Sequence, residues 1–263
     1  MKVEKCSLQP IPTFSDYLKF GHEVSLIGAI DFTYSNGPPS LSSSLHTQVE
    51  GGENQYEQAI KAVGGILDHY DSDKKYPFFG FGGIPTYMED QNTVNDCFPL
   101  NGDEENPEIE GIDNVIECYR QNVNRIKMMG PTRFAPVLKR TKEMIKASKN
   151  PKMYHILLLL TDGDVHDLKE TIKEITEIAT ENLALSIVIV GVGQEEFTNM
   201  VRLDGDDIAI SAGVKDIVQF VKLQEVYARS QPAEATDNLA GLVLEEIPSQ
   251  MVKHFESKGM FPR

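Results

Sequence analysis

Asp31, Thr33 and Ser35 stand at alternating positions directly after the apolar run at 24–30. In an extended segment, residues two apart point to the same side. One carboxylate and two hydroxyls form a set of hard oxygen donors. Such a set suits Mg²⁺, Mn²⁺ or Ca²⁺ and not zinc, which prefers His and Cys. Two more oxygen donors occupy comparable places. Thr132 follows Gly130-Pro131 at the start of a helical stretch, and Asp162 follows the apolar run at 156–160. Mg²⁺ takes six ligands at about 2.0–2.1 Å and keeps several waters. Few charged protein ligands would leave the ion electrophilic, ready for a partner's carboxylate. Each residue alone has an ordinary explanation, since Asp, Thr and Ser after strands cap helices and shape turns. Their shared position at strand ends and helix starts is what singles them out.

The elements that must position these residues follow from hydrophobic periodicity. Continuous apolar runs predict strands at 24–30, 76–81, 154–161 and 185–192, with a short edge strand at 208–211. Helical spacing predicts helices at 54–70, 111–128, 134–149, 167–182, 214–223 and 235–255, plus a short one after residue 193. Gly130-Pro131 separates the second helix from the third, and residues 83–110 read as an acidic loop. Strands that are apolar throughout and alternate with helices mean an α/β fold. The sheet is doubly wound, Rossmann-like and mostly parallel, with helices on both faces. In such sheets ligands bind outside the carboxyl ends of the strands, where the five donors lie. One domain over 23–256 is expected. A lead-in at 1–22, where Pro10 and Pro12 hinder an early helix, precedes it, and a tail at 257–263 follows.

The chain has 263 residues and a net charge of −15, without the clustered Lys and Arg that nucleic acid demands. The same acidity opposes docking on an anionic membrane. Cys6, Cys97 and Cys118 are odd in number and form no CxxC, which points to a reducing compartment. The opening MKVEKCSLQPIP lacks the pattern of a signal peptide, and no apolar run approaches the length of a membrane span. A cytoplasmic protein is the expectation.

Several segments resemble the copine A domain: AIDFTYSNG at 29–37, the AVGGIL-to-YDSDK stretch at 62–74, GPTRFAPVL at 130–138, LLLLTDGDVHD at 157–167 and LSIVIVGVG at 185–193. Shorter matches join them in order: Ser44 to His46, Asn54 to Tyr56, Phe79 to Gly82, Asp216 to Phe220 and Leu244 to Pro248. The resemblance implies a von Willebrand factor A fold with a metal-ion-dependent adhesion site. It assigns Asp31, Thr33 and Ser35 to the first ligand segment, Thr132 to the second and Asp162 to the third. It also implies an intracellular module that recruits a protein partner through an acidic residue, with no catalysis. Asn36, Arg133 and Asp164 would stand beside the metal.

Two departures bear on the site. The family usually has an acidic residue where this chain has Pro38, and Asn where it has Arg133. These 263 residues leave no room for the two C2 domains that give copines calcium-dependent membrane binding, so none is expected here. Three cysteines cannot build the RING domain of the ubiquitin-ligase relatives. Two competing readings remain. One is a Mg²⁺-dependent phosphotransferase of the haloacid dehalogenase type, with Asp31 as nucleophile. The other is a scaffold whose metal site no longer works. Of the other polar features, Gly191-Val-Gly193 is unsuited to a dinucleotide because Glu196 takes the third glycine position. His46 is expected to hydrogen-bond within its loop, Asp71 and Asp73 to end the helix before them, and Asp164 and Asp167 to support the site or cap the next helix.

Overall fold

The computed structural model describes residues 12–90, 92–204, 213–231 and 234–262. Its main sheet contains β1 (Glu23–Asp31), β2 (Lys75–Phe81), β7 (Met153–Thr161), β8 (Leu185–Gly191) and β9 (Val218–Lys222). These run in the order β2-β1-β7-β8-β9, all parallel. Two short strands, β4 (Phe98–Pro99) and β5 (Glu108–Glu110), add antiparallel to β2. A separate antiparallel pair joins β3 (Gly83–Pro85) to β6 (Ile126–Met128). The expected doubly wound, mostly parallel sheet is present.

Alternation along the strands builds two cores. Val24, Leu26 and Ile30 of β1, with Tyr154, Ile156, Leu158 and Leu160 of β7, face one layer of helices. That layer holds α2 (Gln55–Leu67), α3 (Ile112–Asn122), α8 (Ala235–Val243) and α9 (Ile247–Ser257). Ile27, Ala29, Leu157, Leu159, Ile187 and Ile189 face the other, made of α4 (Ala135–Ala147), α5 (Leu168–Thr180) and α6 (Thr198–Asp204). Gly28 keeps the central strands close, because a Cβ there would lie 2.1 Å from the Phe78 ring. The start of α2 is locked by a capping box: Asn54 accepts from the Glu57 N–H at 3.0 Å, and Glu57 accepts from the Asn54 N–H at 2.9 Å.

The structure corrects the sequence reading in five places. A helix, α1 (Phe14–Lys19), forms in the expected lead-in. Thr13 caps it, and Tyr17 stacks on Phe255 at 5.5 Å, so domain packing begins before residue 23. The helix expected over 111–128 stops at Asn122, and β6 follows with alternating burial. The loop expected at 83–110 contains β3, β4 and β5. The segment expected as a helix at 214–223 contains β9, a sheet strand followed by α7 (Leu223–Arg229). The long helix expected at 235–255 is two helices, α8 and α9, with Pro248 tolerated in the first turn of α9. The expected strand at 208–211 and Cys6 lie outside the described residues.

Candidate metal centre

β1 delivers Asp31 to the carboxyl edge of the sheet, between β2 and β7. Its side chain is fully buried, and both carboxylate oxygens are engaged. Oδ1 accepts from the Thr33 N–H at 2.8 Å, and Oδ2 accepts from the Thr161 hydroxyl at 2.7 Å. Thr33 keeps extended backbone, but Tyr34–Asn36 turns as a 3₁₀ helix. The expectation that one extended segment aims all three side chains is therefore incorrect in its cause. The turn nonetheless brings the Thr33 and Ser35 hydroxyls within 3.0 Å. The Ser35 hydroxyl then donates to Asp162 Oδ1 at 2.9 Å, linking the end of β1 to the end of β7. Gly82, at φ +72°, makes room for Thr33, since a Cβ there would lie 2.3 Å from Thr33 Cγ2.

Four of the five candidate ligands are thus brought together through hydrogen bonds. The fifth, Thr132, sits on the adjacent loop. Met129 pairs with Thr33 and accepts from the Tyr34 N–H at 2.8 Å, and the Thr132 carbonyl accepts from the His166 N–H at 2.9 Å. Among the described residues no hydrogen bond ties the Thr132 hydroxyl to the other four, although the residue is buried. Asp167 fixes this loop: its two oxygens accept from the Phe134 and Ala135 N–H groups at 3.0 and 3.1 Å. It therefore serves the start of α4 while standing at the N-cap of α5, where it also accepts from the Thr171 hydroxyl at 3.0 Å, so both of the roles expected for it are filled. Thr161 is the site residue whose role sequence reading missed, and its only signal was its nearness to Asp162.

The three residues expected beside the metal separate. Asn36 is buried and donates to the Thr33 carbonyl at 3.2 Å, while its own oxygen accepts from the Tyr56 hydroxyl at 2.5 Å. Asp164 turns away to the start of α6, where it accepts from the Asn199 N–H at 2.9 Å. Arg133 is half-exposed and donates from Nη1 to Asp96 Oδ2 at 3.2 Å.

His46 supports the site without entering it, as expected. Its Nε2 donates to the Asp31 carbonyl at 2.8 Å, so Nδ1 accepts from the Tyr119 hydroxyl at 2.7 Å. The ring is sandwiched between Phe32 and Tyr56 at 5.0 and 4.3 Å. Burial lowers its pKa to about 3, so the imidazole is neutral with both nitrogens committed.

The electrostatics of the cluster favour a cation. Burial raises the Asp31 carboxyl, opposed by donation from Thr33 and Thr161. Burial, then the charge of Asp31, raises Asp162 to about 7. Among the described residues no Lys, Arg or His forms an ion pair with either acid. Two desolvated carboxylates together must share protons or hold a positive ion. Among the described residues no group of three or more His, Cys, Asp or Glu that could hold a metal ion is found, so an ion here would rely on two carboxylates and the hydroxyls, all oxygen donors. The set therefore fits Mg²⁺, Mn²⁺ or Ca²⁺ with waters completing the shell. Ser35 and Tyr34 are solvent-exposed, so one side of the cluster is open.

Comparison with known proteins shows the family. The copine family model matches residues 44–263. Nicotinic receptor-associated protein 1 of Caenorhabditis elegans is 38% identical over 265 residues, covering 96% of this chain. The chain spans 40% of that relative's length. Among solved structures, a manganese-loaded Plasmodium vivax TRAP protein is 14% identical. That match covers 80% of this chain and 73% of that one, with a TM-score of 0.47. A von Willebrand factor type A protein from Catenulispora acidiphila is 14% identical, covering 88% and 43%, with a TM-score of 0.44.

Proposed function

The chain belongs to the copine family, and on that premise we propose that it is a protein-binding module with a metal-dependent adhesion site. Asp31, Thr33, Ser35, Thr132 and Asp162 would hold one Mg²⁺ or Mn²⁺, with Ca²⁺ also admitted. When bound, the ion supplies a Lewis-acidic position for an anionic oxygen. The chain's own residues do the rest. Thr161 and the Thr33 N–H orient the Asp31 carboxylate, Ser35 orients Asp162, and the 3₁₀ turn keeps one side open to a partner's carboxylate.

One observation carries this reading: two buried carboxylates at the ends of separate strands meet a chain of hydroxyls and, among the described residues, no cationic side chain bonded to either acid. The role is binding and not turnover, because His46, the histidine hydrogen-bonded to Asp31, has both nitrogens engaged. A relative named for association with a receptor is consistent with a binding role. The cytoplasm is its proposed place of action, supported by the free thiols Cys97 and Cys118. With a charge of −15, it acts there on protein and not directly on membrane lipid.

Mn²⁺ titration followed by electron paramagnetic resonance tests this. Wild type is expected to bind one ion saturably, and Asp31→Asn to bind none while keeping its circular dichroism spectrum. A wild type without a saturable site refutes the proposal. Hydrolysis of p-nitrophenyl phosphate by the same samples, lost in Asp31→Asn, would instead favour the phosphotransferase reading.

A further inference from the structure

Arg133 stands directly after Thr132 on a loop pinned from both sides. His166 holds the Thr132 carbonyl, and Asp167 holds the Phe134 and Ala135 N–H groups. Its backbone is therefore fixed relative to the candidate metal centre, while its side chain is 50% exposed. A guanidinium carries five N–H donors in a planar fork. Here one contact is made, from Nη1 to a single oxygen of Asp96 at 3.2 Å. The remaining donors meet no described residue. The pairing is also incomplete from the other side, because Asp96 Oδ1 is buried without a partner. A half-exposed, one-point ion pair contributes little stability, so the fork remains available to a better acceptor.

The surroundings indicate what that acceptor is. Tyr34 and Met129, joined by a backbone hydrogen bond, present 75% and 37% of their surface beside the ligand loops. They offer an apolar rest for an extended chain. A bound divalent ion would balance Asp31 and Asp162, and Arg133 follows the candidate ligand Thr132 directly in the chain. Glu195 adds negative charge near Asp162. A partner with one carboxylate meets a nearly neutral face. A partner with two can place one on the ion and the other in the Arg133 fork.

Resting on the metal-site reading above, we propose that Arg133 makes this site selective for partner segments carrying two closely spaced acidic side chains. Because Arg133 adjoins the ligand Thr132, the two acids should be adjacent or one residue apart, a step of about 3.8 Å per residue between Cα atoms. A lone acidic residue would use the ion only.

The test uses fluorescein-labelled Gly/Ser peptides carrying one Glu, Glu-Glu or Glu-Gly-Glu, titrated with the Mn²⁺-loaded chain. Mn²⁺ occupancy is measured in the same samples. Wild type is expected to bind a two-Glu peptide about tenfold tighter than the one-Glu peptide, the ratio of one charge-assisted hydrogen-bonded contact. In Arg133→Asn that preference should fall below about twofold, with one-Glu binding weakened less than two-Glu binding. Arg133 is exposed, so this variant should keep the wild-type melting temperature, which is checked alongside. Equal binding of the peptides by wild type overturns the proposal. So does a preference that survives Arg133→Asn, or a Mn²⁺-loaded chain that binds no Glu peptide. Failure to bind Mn²⁺ at all overturns the metal-site reading and this inference together.

Discussion

Two pairs of aspartates occupy opposite ends of the same parallel sheet. At the carboxyl end, Asp31 and Asp162 follow β1 and β7. At the amino end, Asp71 and Asp73 sit in the turn before β2, with Val24 of β1 donating to the Tyr70 carbonyl beside them. Each pair contains an acid raised to about 7 chiefly by burial, Asp162 in one and Asp71 in the other. Their surroundings differ in kind. Asp71 Oδ1 accepts from the N–H groups of Asp73 and Lys74, both at 3.2 Å, and Asp73 accepts from Lys75 at 3.0 Å. That pair is served by the backbone of its own turn. Asp31 and Asp162 are served by hydroxyls of Thr161 and Ser35, drawn from two strand ends. A perturbed carboxyl reports burial and a like-charged neighbour. Convergent side-chain oxygens from separate elements are what an ion can use.

Replacing one acid in each pair should separate the two ends most sharply. Asp162→Asn is expected to weaken Mn²⁺ binding on the order of 100-fold, as removal of one buried charge from a paired set does. Asp71→Asn should change it by less than about twofold, since no oxygen of that turn reaches the site. Calorimetric titration of both variants checks this, and a comparable loss in Asp71→Asn would erase the distinction.

A second contrast lies in pH. A carboxyl whose folded pKa exceeds its unfolded value stabilises the fold below the unfolded value, near 4, and loses that effect as pH rises through about 7. The two acids therefore lower the stability of the metal-free domain between pH 5.5 and pH 8, while the buried neutral His46, His155 and His254, lowered to about 3, 4 and 4, act in the opposite sense. Saturating Mn²⁺ replaces the proton at Asp162, so it should raise the melting temperature more at pH 8. Asp71→Asn removes the contribution of the other end, so its melting temperature should gain on that of wild type as pH rises. Scanning fluorimetry across pH 5.5–8 reads both effects. An equal Mn²⁺ effect at each pH would contradict the account.

The smallest expected change concerns Thr161. Thr161→Val removes the donor to Asp31 Oδ2, worth about 1 kcal/mol, or roughly fivefold in Mn²⁺ affinity. Thr161→Ser keeps the hydroxyl and should bind as wild type. Identical affinities in all three would mean that the hydrogen bond does not orient the carboxylate.

The sequence exposes the ends of the central strands because apolar runs stop abruptly at polar residues such as Asp31 and Asp162. It hides elements whose two periodicities coincide. Val214, Ile217, Val218 and Val221 recur at helical spacing, yet Val218–Lys222 pairs with β8, because a sheet edge offered backbone partners that local pattern cannot reveal. Val115, Tyr119, Val123 and Ile126 likewise keep helical phase across the true end of α3. At the site, the residues proposed as ligands stand out in the sequence, while the particular groups that their supports hold do not. Thr161 counts as the last residue of a strand. Asp167 holds a helix start 33 positions earlier in the chain, at Phe134, a relation set only by the fold.

Ser35 and Asp162, joined by a single hydrogen bond, are 127 positions apart in the chain. Contacts of such long range form late, after the loop between them has closed. A fragment ending before β7 lacks Asp162, so it cannot assemble the proposed ion site. Binding energy from the proposed ion would be added to the complete domain, stabilising the native state in proportion to the logarithm of free metal concentration. Metal loading would then double as a readout of complete folding: a chain cut before residue 153 should stay silent to the ion.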